Sequence, residues 1–155
     1  MASVEDMLLR YDSAIELWAD SCASNPDIWH RPDTNEFISL LPEILNFAKN
    51  GNIKCMYAAA MIYSFGLCYD SEHAYLENYS ELISLATNWW GEAAAAGYLP
   101  AVDNLLTSGV GPLAEKARLM AKQIRIEHKD LIGSSNNMPV YGESFMQELH
   151  KRLYA

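Results

Sequence analysis

Between Lys54 and Lys116 the chain contains no lysine or arginine. Nucleic acids and anionic membranes are recognised through clustered positive charge, so this gap argues against both as partners. Cysteine is equally sparse. Cys22, Cys55 and Cys68 stand apart with no CxxC spacing, which excludes a disulfide framework and a zinc site of the usual spacing. Free thiols in apolar surroundings fit a reducing compartment, and a cytoplasmic location is expected. No stretch approaches the roughly 18 apolar residues of a membrane span. The opening MASVEDMLLRYD lacks a basic segment ahead of an unbroken apolar run, so no signal peptide is expected.

Catalytic signatures are missing as well. His30, His73, His128 and His150 are scattered, with no HxxH or HExxH among them. "GVGP" (109–112) has no Lys-Ser/Thr behind it to complete a phosphate loop, and "YGESF" (141–145) lacks the GxSxG spacing. No nucleophile, base and oxyanion donor can be assembled from the order of residues. The expectation is a protein that is not an enzyme, with no metal and no cofactor.

What is present is apolar, aromatic and acidic. Half of the 155 residues are hydrophobic, enough for one domain with a sizeable core, and a single domain over 1–155 is expected. Apolar residues recur at helical spacing almost throughout. Ser3 and Asp6 form a helix start, followed on one face by Val4, Met7, Leu8, Tyr11, Ile15, Trp18 and Cys22. Asn25-Pro26 should end that helix, and "NPDIWHRPDT" (25–34) reads as a loop. A second helix carries Phe37, Leu40, Leu41, Ile44 and Leu45, with Pro42 expected to kink it or begin a new turn. A short apolar helix over 53–65 should end at Gly66, a longer one should run from 74 to 96, and Gly97 should end it. Pro100 suits the first turn of the next helix. Helices over 112–132 and 143–154 complete an all-α reading of about seven helices, with "GSSNNMP" (133–139) as a loop and hairpin signals wanting.

Two stretches repeat. Setting Gly51 on Gly97, an offset of 46, aligns "NFAKNGNIKCMYAAAMIYSFG" (46–66) with "GEAAAAGYLPAVDNLLTSG" (91–109). Ala48 then falls on Ala94 and Cys55 on Ala101. Trp89, Trp90, Ala93, Ala94, Gly97, Ala101 and Leu105 follow, in order, the pattern of the Sel-one-like repeat, a relative of the tetratricopeptide repeat. The units at 46–66 and 89–109 resemble that family. Ala60 and Leu106 depart from it by standing where glycine is usual, and the connection 67–84 is longer. The resemblance implies stacked antiparallel helix pairs in a short solenoid, and a role in binding other proteins. It also explains why "NWWGEAAAAG" (88–97) sets its largest residues beside its smallest: a ring fills the groove that alanines open between close helices.

Charge points to where such binding would occur. The net charge is −9. Residues 1–100 hold 14 acidic and 4 basic residues, residues 101–155 hold 6 and 7. Asp12, Glu16 and Asp20 are spaced four apart on one helix face, and Glu77 and Glu81 share another. Asp70 and Glu72 add acidity beside Tyr69, and Trp29 lies in the first loop. These nine residues are the candidate partner-binding set, with Tyr69 and Trp29 as aromatic anchors. Tyr75 and Tyr79 fall on an apolar stripe and are expected in the core. Arg118, Lys122, Arg125 and Lys129 form a basic face further on. The expected function is a protein-binding module, foremost an immunity protein that neutralises one basic toxin enzyme. An adaptor or scaffold in a signalling or assembly complex is the alternative, with a small enzyme on a helical scaffold as a minor third.

Overall fold

A helix starts where its free N–H groups find an acceptor, and the first one here does so as the sequence suggests. Ser3 Oγ accepts from Asp6 N at 3.1 Å. The computed structural model describes residues 3–24, 33–135 and 138–155. Among these are α1 (Val4–Ser24), α2 (Asn35–Lys49), α3 (Ile53–Ser64), α4 (Glu72–Glu77), α5 (Tyr79–Ala95), α6 (Leu99–Ser108), α7 (Pro112–Glu127) and α8 (Glu143–Leu153). The fold is all-α, apart from one short hairpin of β1 (Ile132–Ser135) and β2 (Met138–Tyr141).

The chain packs as two compact units, Met1–Ala86 and Thr87–Ala155. In the first, α1 packs on α2 and α2 on α3. Phe37, Leu40, Ile44 and Ala48 recur at helical spacing and form the buried stripe of α2. The helix runs on through Pro42, which begins no new element; Pro42 is exposed, so its ring stands away from the buried stripe. α3 is buried on most of its surface, through Cys55, Ala58, Ala59, Ala60 and Ile62. Its small side chains let the flanking backbone come close. In the second unit α6, α7 and α8 pack on one another.

The 46-residue offset appears in the backbone. Gly51 and Gly97 both sit at φ +96°. Gly51 N donates to Ala48 O and Asn52 N to Phe47 O, each at 3.0 Å. Gly97 N donates to Ala94 O at 2.9 Å and Tyr98 N to Ala93 O at 3.0 Å. Both helices therefore end in the same left-handed cap, whose two bonds satisfy the last carbonyls. Ala48 with Ala94, and Cys55 with Ala101, are buried alike. Trp90 is 1% exposed, whereas Trp89 is only half-buried, so one ring of the pair fills the interior. With its amide oriented to suit both neighbours, Asn104 accepts from Trp90 Nε1 at 3.2 Å and donates to Pro100 O at 3.0 Å.

Three local readings are corrected. The helix expected over 74–96 is two helices. Asn78 departs from helical geometry at φ −104°, ψ 11°, and its Nδ2 takes the Ala74 carbonyl at 2.8 Å. Asparagine competes for backbone groups in this way, and here it separates α4 from α5. The helix expected over 112–132 stops at Glu127, because His128 turns out at φ −131°, ψ 62°. Residues expected as a loop then pair as β1 and β2, in register from Ile132↔Tyr141 to Ser135↔Met138. Each strand has four residues, too few for alternation to stand out against Gly and Ser.

Candidate functional site

α1 has 21 residues but buries only Met7, Tyr11 and Ala14. Tyr11 meets the Phe37 ring edge-on at 6.1 Å, which fixes α1 against α2. Beside that contact an open groove of about 600 Å³ lies along α1 and the start of α2. Ala14, Trp18 and Phe37 give it an apolar floor. Leu9 and Leu17 stand at its edge, 65% and 71% exposed, with Ser13 between them. Leu9, Ser13 and Leu17 are four residues apart, so they form one line along the helix. At the far end Trp18 packs on Phe65, ring centroids 4.9 Å apart. Exposed leucines contribute little to the fold, and covering each would release on the order of 1–2 kcal/mol.

The acidic row lies next to this line. Asp12, Glu16 and Asp20 are exposed on α1, each three residues after Leu9, Ser13 and Leu17 in turn. Residues three apart on a helix are neighbours, so every carboxylate flanks a member of the leucine line. Asp33 and Glu36 add acidity at the groove. Among the described lining residues the cation is Arg10, and Glu36 holds it: Glu36 Oε1 accepts from Arg10 Nε at 2.9 Å and lies 2.6 Å from Nη2. Among the described residues no ion pair engages Asp12, Glu16 or Asp20.

The second group of candidate residues has a different setting. Tyr69 is half-buried, and its carbonyl accepts from Thr34 Oγ1 at 3.0 Å, which ties the loop after α3 to the start of α2. Asp70 is exposed. Glu72 opens α4, where Ser71 Oγ caps Ala74 N at 3.1 Å; a carboxylate there meets the positive end of the helix dipole. Glu77 is exposed and lies 3.6 Å from His73. Glu81 is exposed on α5. The break at Asn78 puts Glu77 and Glu81 on different helices, so they do not form one helical row. Tyr79 is 48% exposed and not a core residue, while Tyr75 is half-buried against Gly66, with its hydroxyl donating to Ser64 O at 3.3 Å. Trp29 lies outside the described residues.

The basic face of α7 is divided by its partners. Arg118 donates from Nε to Leu106 O at 3.1 Å and from Nη2 to Gly109 O at 2.6 Å. It thus closes the carboxyl end of α6, where a cation is favoured by the dipole. Arg125 donates to Tyr141 Oη at 3.0 Å. Lys129 lies beyond α7, in the 3₁₀ turn Lys129–Leu131.

The two units differ in charge. Met1–Ala86 holds 13 acidic and 4 basic residues, a net of −9; Thr87–Ala155 holds 7 and 7, a net of zero. Among the described residues no helix is long and apolar enough to cross a membrane, and no three His, Cys, Asp or Glu side chains group as metal ligands. The chain matches no protein-family model, no curated protein and no solved structure.

Proposed function

We propose that the chain is a non-catalytic protein-binding module of Sel-one-like helical-repeat type. It serves as a cytoplasmic immunity protein, which binds and neutralises one basic toxin enzyme. The observation that carries this reading is the segregation of charge. The entire net charge of −9 belongs to the unit that also exposes the leucine line and its acidic flank. Enzymes that attack nucleic acids or nucleotides present cationic clefts. An acidic helical surface covers such a cleft by standing in for phosphate, and opposite fields speed the encounter.

The test is co-expression with the product of the adjacent gene, followed by capture on the full-length chain. Wild type is expected to restore growth and to hold the product in a stoichiometric complex. Reversal of Asp12, Glu16 and Asp20 to lysine is expected to slow association about tenfold or more at low salt and to flatten its salt dependence, as electrostatic steering requires. A harmless product, or binding indifferent to these reversals and to ionic strength, rejects the inhibitor. The adaptor role then takes its place.

A further inference from the structure

We infer that the groove along α1 is the seat of an amphipathic basic helix contributed by the partner protein, with its apolar side on Leu9, Leu17 and Trp18 and its lysines or arginines over Asp12, Glu16 and Asp20. This deepens the reading above and rests on it.

The occupant follows from three features of one surface. The first is shape. Leu9 and Leu17 are eight residues apart on a helix, about 12 Å at 1.5 Å per residue. Two leucines at that separation, joined by the Trp18 ring on the groove floor, match two to three turns of a partner helix with anchors at i, i+4 and i+7, the spacing by which amphipathic helices lie in grooves. A short loop would present its apolar residues without that period. The second is sidedness. The acids flank the leucine line along its whole length, at Asp12, Glu16 and Asp20, so the occupant must carry its positive charge beside its apolar stripe. The third is charge balance. Among the described residues no ion pair engages Asp12, Glu16 or Asp20, and Arg10 pairs with Glu36 on α2, so these carboxylates are left for a cationic occupant. Complementary charge beside an apolar contact sets the orientation and speeds docking, while the apolar contact holds the complex.

The groove lies entirely within Met1–Ala86, and Leu9, Leu17, Asp12, Glu16 and Asp20 are exposed, so they can be changed without opening the core.

The experiment uses the full-length chain and a labelled synthetic 18-residue peptide, helix-forming, with leucines at i, i+4 and i+7 and lysines along one flank. Controls are the same peptide with glutamate for lysine, and a scrambled order of the same composition. Fluorescence anisotropy is expected to show saturable binding of the lysine peptide at micromolar concentration, with at least tenfold weaker binding of both controls. The double variant Leu9→Ser, Leu17→Ser is expected to weaken binding at least tenfold with the circular dichroism spectrum unchanged. The triple variant Asp12→Asn, Glu16→Gln, Asp20→Asn is expected to lower affinity and its salt dependence together. Equal binding of the scrambled peptide, or indifference to the leucine variant, overturns the groove assignment. So does a change of molar mass on light scattering caused by the leucine variant, which would make a second copy of this chain the occupant. Should the peptide fail while the captured toxin still binds through other acidic residues, the groove assignment fails and the protein-binding function stands.

Discussion

Arg10 and Glu36 join the two helices of the groove, with Nη2 and Oε1 2.6 Å apart and both side chains about half exposed. An ion pair so open to solvent contributes little to stability, because water screens it and two long side chains must be ordered to make it. Its larger effect is on charge, since Glu36 offsets the cation that Arg10 places in the groove.

Glu36→Gln should therefore leave stability within about 0.5 kcal/mol of wild type. It should also remove one carboxylate from the groove and leave the Arg10 guanidinium there uncompensated, and so weaken binding of a basic partner several-fold. Urea unfolding and peptide titration on the same variant check both halves. A large loss of stability with unchanged binding would mean that the pair is structural.

Gly97 and Gly66 distinguish backbone strain from steric exclusion. Both have positive φ, +96° and +65°. A Cβ on Gly97 would meet open space, so Gly97→Ala should cost about 1–2 kcal/mol, the strain of a left-handed residue alone. A Cβ on Gly66 would overlap the Tyr75 ring, so Gly66→Ala should cost more. Thermal midpoints of the two variants decide, and equal losses would contradict the packing of Tyr75.

Arg118 should matter more than its neighbours on α7. Removing it leaves the Leu106 and Gly109 carbonyls without their donor. Arg118→Ala is expected to lose about 1–2 kcal/mol, part of the worth of charged hydrogen bonds at a half-exposed site. Lysine should not restore it, since one ammonium cannot reproduce the guanidinium fork. Lys122→Ala, which removes an exposed side chain, should be near neutral. Chemical unfolding midpoints at constant m-value read out all three.

Cys55 should be the unreactive thiol. It is fully buried in α3, and burial pushes its pKa up to about 11, because desolvation disfavours the thiolate. At pH 8 a disulfide reagent should label half-buried Cys22 and Cys68 in the folded protein and reach Cys55 only on unfolding. Three fast thiols would mean that α3 opens locally.

Where the backbone obeys short-range rules, the sequence alone was sufficient. Ser3 and Asn52 cap helices because a side-chain oxygen reaches the nearby N–H three residues on. Gly51 and Gly97 end helices because only glycine takes the left-handed position without strain. From such signals the helical class, most of the helix ends, the 46-residue repeat and the exposed acidic row on α1 could be read. Tertiary structure decided the rest, since each remaining feature depends on a group remote in sequence or on competition between near-equal local states. Asn78 could have stayed helical, and its bond to Ala74 divides the helix. Tyr79 lies on an apolar stripe yet is half exposed, because periodicity gives a direction around a helix and not what covers it. Arg118 reads as part of a basic face until α6 brings its carbonyl end alongside. The groove belongs to this second class. Leu9 and Leu17 fall off the apolar face read for α1, and it is the placement of α2 against Tyr11 that makes a groove beside them.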